Sequence, residues 1–205
     1  MIKLFLNGKY VFWLLCFLMI ILAPQSPGLV RKVEIWADEI SLKYENDQLQ
    51  QVQAAGNCKL LYNDSTLKGN FAIFNIETQD FIVEDDVIIE AADYVVTADY
   101  LEGNSGVESF LLRGNIIISG QDIEIRAEKL DYADEKLLLT EKLIFVFADF
   151  TAEANQLTYN LADDYLLLTG NVTGKNRGQE FSAAMVEFNL EEKTIILKGE
   201  ARFIF

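Results

Sequence analysis

After Trp36 a two-residue marker flanked by alternating apolar positions occurs six times, and this repeat constrains the fold more than any other feature. It reads Gly56-Asn57, Gly114-Asn115 and Gly170-Asn171 in full, and Asp85-Asp86, Glu141-Lys142 and Gly199-Glu200 in degenerate form. Successive markers are 29, 29, 27, 29 and 29 residues apart. Four residues before each stand Val52, Phe81, Phe110, Leu137, Leu166 and Ile195; two before stand Ala54, Val83, Leu112, Leu139, Leu168 and Leu197. Two after stand Cys58, Val87, Ile116, Leu143, Val172 and Ala201. The period of two runs through the marker, so each marker is expected inside one strand of about nine residues rather than in a hairpin turn. Glycine there points to a bend or a close backbone approach.

A second strand precedes each of these. It ends in an aromatic at Tyr44, Phe74, Tyr132, Tyr159 or Phe188, with Gly103 in that place in the third unit. Asparagine follows at Asn75, Asn104, Asn160 and Asn189, as suits a strand passing into a turn. The turn is shorter by two residues at Ala133 to Lys136, which accounts for the 27-residue interval. Links between units carry glycine and polar residues, as in Ser119 to Asp122 and Gly174 to Gln179. Both prolines, Pro24 and Pro27, precede the repeats, so no strand interior is broken. Units of this size cannot bury an apolar face alone and must stack. The expected fold is all-β, with about twelve strands in six two-strand units. They form an elongated antiparallel sheet folded into two layers, an open-ended jelly roll or a solenoid.

Residues 1–30 read as a separate signal or anchor segment, with the β domain over residues 31–205. Lys3 and Lys9 give a positive flank, and Val11 to Ala23 is an unbroken apolar run, with Tyr10 to Ala23 expected to be helical. The run has the length of a signal-peptide core and is short for a span, although Ile2 to Leu6 extends it. Ala23-Pro24-Gln25 is a weak cleavage site. An anchor formed by residues 4–23 and a cleaved signal both stay open; either way, the rest of the chain crosses a membrane.

Composition bounds the chemistry. With 32 acidic and 17 basic residues the formal charge is -15, which argues against nucleic acid as a partner. The chain has no histidine, the commonest general acid/base and imidazole metal ligand. Cys16 lies in the apolar run, which leaves Cys58 without an intramolecular partner and reads it as a small buried hydrophobe. The acidic groups Glu84-Asp85-Asp86, Asp163-Asp164 and Glu191-Glu192 read as solvated turns or strand flanks rather than calcium sites. No phosphate loop or nucleophile motif occurs. No catalytic residue, metal site or cofactor is assigned, and the chain is not expected to be an enzyme.

Repeats of the form Ala-x-x-Leu-x-Tyr, turn, Leu-x-Leu-x-Gly-Asn-Val, cleanest over Ala154 to Val172, resemble the OstA-like family of lipopolysaccharide-transport bridge proteins (LptA, LptC and the LptD N-terminal domain). The resemblance covers residues 36–205. It implies a twisted β-jelly roll, periplasmic and either anchored to the inner membrane (LptC-like) or soluble after cleavage (LptA-like). Its partners would be lipopolysaccharide or a similar long-chain lipid, other jelly rolls of the family and an ABC-transporter permease. From the residues alone the inward positions make an ordinary packed core. The resemblance instead implies a lipid groove lined by Tyr44, Phe74, Leu112, Ile116, Tyr132, Leu139, Tyr159, Leu168, Val172 and Phe188. Shielding one chain of about twelve carbons would gain about 10 kcal/mol gross, at about 0.8 kcal/mol per CH₂. At the other end of the repeats Ile195, Leu197, Gly199, Ala201 and Phe203 alternate with few charges. They are expected to form a free edge strand that pairs with a second jelly roll. A structural or adhesive β-repeat protein is the alternative function, and a tightly filled interior would favour it.

Overall fold

A computed structural model describes residues 33–62, 65–91, 93–161, 165–189 and 194–204. The expected segment at residues 1–30, with its helix at Tyr10 to Ala23, lies outside the described residues, as do Asp163-Asp164 and Glu191-Glu192. The described chain is all-β. Its strands are β1 (Val33–Trp36), β2 (Glu39–Glu45), β3 (Gln48–Tyr62), β4 (Ser65–Asn75), β5 (Asp80–Ala91), β6 (Tyr94–Asn104) and β7 (Ser109–Ser119). They continue with β8 (Ile123–Ala133), β9 (Lys136–Phe147), β10 (Phe150–Asn160), β11 (Tyr165–Asn176), β12 (Gln179–Asn189), β13 (Thr194–Lys198) and β14 (Arg202–Phe203). From β3 to β12 each strand pairs antiparallel with its neighbours in sequence, in one open sheet. β1 and β2 both pair with β3, and β13 and β14 both pair with β12. The broken pairs are single rows interrupted at Ala37-Asp38 and at Gly199 to Ala201, which makes twelve rows, as the six-unit reading requires.

The marker strands β3, β5, β7, β9 and β11 are 11 to 15 residues long, not about nine. The marker itself is a β-bulge. Ala55 pairs with Phe71 and Cys58 with Gly69, so Gly56 and Asn57 together oppose Asn70. The same two-against-one offset recurs at every later marker. Both marker residues have positive φ, for example 73° and 48° at Gly56-Asn57 and 73° and 47° at Gly114-Asn115. Inward parity survives on the marker strands, where Ala54 and Cys58 are both buried. On the partner strand it must skip a residue, and Leu67 and Gly69 give way to Ala72 and Phe74. The acidic pair Asp85-Asp86 therefore sits mid-strand in a bulge rather than in a turn. Likewise Gly174 to Asn176 belong to β11, and only Arg177 and Gly178 make that link.

The line of bulges folds the sheet in two. Phe150 begins β10 and Phe188 lies near the end of β12, so a flat sheet would hold them far apart. Adjacent strands alone are separated by about 4.8 Å. Their ring centroids are nevertheless 5.6 Å apart. The strand halves on either side of the bulges thus face each other as two layers, with a continuous apolar core between them. At the outer hairpins, Asn75 Oδ1 accepts from the Glu77 and Thr78 amides (both 3.0 Å), and Asn104 Oδ1 accepts from Gly106 and Val107 (2.9 and 3.0 Å). Asn104 Nδ2 also donates to Thr78 O of the preceding unit at 2.9 Å, tying successive hairpins together.

The degenerate markers hold side chains where glycine is cheaper. Glu141 sits at φ 67° and Lys142 at 53°. A left-handed residue with a Cβ costs about 1–2 kcal/mol, and glycine returns part of that gain as unfolded-chain entropy. Glu141→Gly is therefore expected to stabilise the fold by about 0.5–1 kcal/mol, raising Tm by about 1–3 °C. A thermal melt that fell instead would show the bulge to be unstrained.

Candidate lipid groove

The assigned interior positions converge. Leu112 faces Leu130, which faces Leu139; Leu139 faces Leu157, which faces Leu168. Beyond the bulge, Ile116 faces Ala127 and Val172 faces Ala183. Leu112, Ile116, Leu139, Leu168 and Val172 are at most 1% exposed, and Phe74, Tyr132, Tyr159 and Phe188 are buried with them. Cys58 is buried as expected, and burial pushes its thiol pKa up. Tyr44 does not join them: it is 60% exposed. It lies on β2, which among the described residues pairs with β3 alone, so no described row covers it.

That exposure belongs to a wider feature. Ile40 and Leu42 pair with the buried Ala54 and Val52, which places them on the inward face, yet they are 44% and 51% exposed. The alternation of Ile40, Leu42 and Tyr44 was present in the sequence, but only Tyr44 was read there as a column position. The last row is its counterpart. Ile195, Leu197 and Phe203 face Phe188, Val186 and Phe181 and are only half-buried. The expected single edge strand is broken here: Gly199 and Ala201 are exposed and lie outside β13 and β14. Gly199 has φ 68°, so the sixth marker still bends the chain, but the following piece is too short to extend the row. Among the described residues nothing pairs with the outer side of β13.

The interior changes character along its length. Near the first rows Ala54, Cys58, Gly69 and Ala72 alternate with Leu60, Leu67 and Phe74 around a void of only about 10 Å³. Near the last rows Phe145, Phe147, Phe150, Phe181 and Phe188 fill it, with neighbouring ring centroids 5.1–6.0 Å apart. Gly103 is explained by its neighbours: a Cβ there would lie 2.5 Å from Phe81 Cζ and 2.9 Å from Phe110 Cβ. Those rings occupy the volume that an aromatic takes in the other units, and Phe110 stacks on Tyr132 at 4.9 Å. A cleft of about 540 Å³ between β10, β11, β12 and β14 is lined by Glu153, Lys175, Glu180 and Arg202 together with Ala152, Phe181 and Ile204. Among the described residues no group of three His, Cys, Asp or Glu side chains could hold a metal ion.

The outer face carries paired charges rather than a reactive centre. Tyr100 donates to Glu102 Oε2 at 2.8 Å, beside Arg113. Tyr165 donates to Glu187, which also pairs with Lys198. Burial, aided by the carboxylate partner, pushes each phenol up to about 12. The raised values favour the neutral phenols. Their contribution to stability is thus complete below about pH 10, the usual tyrosine value, and lost as pH rises through 12. A titration of phenolate absorbance is expected to show two of the tyrosines ionising late, and Tyr100→Phe with Tyr165→Phe to remove that phase.

Residues 95–194 match the family described as LptA/(LptD N-terminal domain) LPS transport protein. The resemblance carried by the repeats is thereby shown over that stretch, which spans rows β6 to β12 and ends at the first residue of β13. No curated protein sequence matches the chain. Among solved structures it is similar to LptH, the LptA-homologous periplasmic component of the lipopolysaccharide transport device of Pseudomonas aeruginosa. That match covers 85% of this chain and 95% of that one, at 8% identity and a TM-score of 0.27. At that score the superposition carries no argument about function.

Proposed function

We propose that the chain is a cell-envelope bridge component that shields the acyl chains of lipopolysaccharide between its two layers and stacks edge to edge with further jelly rolls. One observation carries this reading: among the described residues, both terminal rows keep inward apolar side chains with no further row beyond them. Ile40, Leu42 and Tyr44 at one mouth, and Ile195 and Leu197 at the other, are where an added strand would continue the apolar lining. The family match over residues 95–194, to lipopolysaccharide transport proteins, supports the lipid class. The protein is proposed to work in the periplasm, held at the inner membrane by residues 4–23 or released from it, with residues 31–205 as one domain. Its further partners would be jelly rolls of the same family and an ABC-transporter permease. No catalytic step is needed.

The alternative, a structural or adhesive repeat protein, is favoured by one observation: the middle of the interior is filled by side chains. The experiment therefore places photocrosslinkers at Leu42 and Leu197 in the mouths and at Glu77 in an exposed hairpin. Lipopolysaccharide capture at the mouths and not at Glu77 is expected; equal capture, or none, contradicts the transport role. Leu42→Asp alters an exposed residue and is expected to abolish association while leaving the circular dichroism spectrum unchanged. Association that survives it, and survives removal of residues 195–205 from a folded domain, contradicts stacking.

A further inference from the structure

Resting on the proposed inner-membrane anchor, we infer that the outer face of the layer containing β1 and β14 docks on a lipid bilayer with anionic headgroups. The outward row on that face can be followed from strand to strand. Trp36 pairs with Lys59, Lys59 with Lys68 and Lys68 with Ile88, and the row reaches Ile117 through Thr97. Val95 stands in the next outward row, between Glu90 and Ser119. Trp36 is 60% exposed, Val95 41% and Ile117 36%. An exposed tryptophan, lysines and aliphatic side chains on one face are the set that a membrane–water interface takes.

Charge separates this face from the rest of the molecule. Its ions are largely matched: Lys68 lies 2.7 Å from Glu90, Arg126 2.8 Å from Glu124 and Lys175 3.6 Å from Glu180. The formal charge of -15 therefore falls mainly on the layer containing β2 and β13 and on the bulges. The hairpins of that layer carry Asp47, Glu77, Glu108, Asp134 and Glu135. Its outer face also has aliphatic residues, at Ile82, Leu111 and Leu138, but Glu102 and Asp131 stand between them. An anionic bilayer repels that layer and admits the one that carries Trp36.

The chain also leads this face to the membrane. β1 begins at Val33, and nine residues separate it from the apolar run that ends at Ala23. Such a connection spans at most about 30 Å. Arg31 and Lys32 within it add positive charge. An anchor in the apolar run thus keeps Trp36 within reach of the headgroups and raises its effective concentration there. Docking on this face holds the β2 end of the sheet at the bilayer and turns the carboxylate-rich layer toward water.

The test uses the full chain in vesicles of phosphatidylcholine and phosphatidylglycerol brominated on the upper acyl chain, which quench only nearby tryptophan. The chain has two tryptophans, Trp13 and Trp36, so Trp13→Phe leaves Trp36 as the sole reporter and Trp36→Phe leaves Trp13. Two further proteins, with both native tryptophans replaced by phenylalanine, carry Ile117→Trp or Leu111→Trp. These positions share strand β7 but face outward on opposite layers. Trp36 and the Ile117→Trp reporter are expected to lose most of their emission, and the Leu111→Trp reporter almost none. Quenching at Trp13 alone, or equal quenching at positions 111 and 117, overturns the docking face and leaves the anchor standing. Quenching at no position removes the anchor and the face together. Protection of the Ile117→Trp reporter from aqueous acrylamide without quenching by brominated lipid means that protein covers the face, and it overturns the proposal. Trp36 is native, so a poorly folded Ile117→Trp does not spare the proposal.

Discussion

Leu139→Asp is expected to unfold the domain rather than yield a folded protein with a blocked groove. Leu139 has no exposed surface and sits between Leu130 and Leu157 in the middle of the sheet. An uncompensated buried charge costs about 3–5 kcal/mol. The lost leucine packing adds to this, since removing a buried leucine side chain costs about 2–5 kcal/mol by itself. Together they rival the total stability of an ordinary domain, about 5–15 kcal/mol. Urea titration followed by circular dichroism should find little or no native baseline at neutral pH. A cooperative melt within a few degrees of wild type would mean that Leu139 reaches water, and so that the interior is open at its centre. The variant thus reports on whether the interior is filled, while the mouth residues report on transport.

Gly103→Tyr should also be strongly destabilising, although it restores the residue type that most other units carry at that position. A Cβ at Gly103 would approach Phe81 Cζ to 2.5 Å and Ser109 O to 2.6 Å. The second contact is with backbone and cannot be relieved by a rotamer change. Overpacking of this kind typically costs about 1–3 kcal/mol, and a whole ring in occupied space lies at or above the top of that range. A fall in Tm of at least about 6 °C is expected. Phe81→Ala in the same chain should recover part of the loss, because it vacates the volume that the new ring needs. If Gly103→Tyr melts at the wild-type temperature, the aromatic column is not filled by borrowed volume in that unit.

The sheet was legible in the sequence because alternation and a fixed period report on the backbone directly. Twelve rows, the inward columns at Ala54, Val83, Leu112, Leu139 and Leu168, and the shorter hairpin after Ala133 all follow from them. The bulge was only half legible. Glycine pointed to a bend at Gly56 and Gly114, but the skipped residue on the partner strand, at Asn70, leaves no mark on the strand that carries the marker. The site was legible where a residue had neighbours on both sides. Tyr44 matches its column as well as Tyr159 does, yet a column records which face a residue takes and not whether a further row covers it. The phenylalanine cluster was missed because Phe145, Phe147 and Phe150 lie beyond the columns that defined the repeat, at positions where other units carry residues as different as Leu60, Gly120 and Phe203. Their meeting with Phe188 depends on the fold closing over the bulges.

The two-against-one bulge also decides which length changes the chain can absorb. The hairpin at Asp134-Glu135 is two residues shorter than the one at residues 76–79, yet Tyr132 still faces Leu137 as Phe74 faces Phe81. Loops at that end can thus lose residues in pairs without disturbing either layer. A marker has no such latitude. Deleting Asn115 alone would move every residue from Ile116 to Ser119 one step out of phase, turning Ile116 and Ile118 toward water and Ile117 toward the core. Insertions and deletions should therefore be tolerated at the outer hairpins and excluded from the spine of markers, so that a longer sheet is reached by adding whole units.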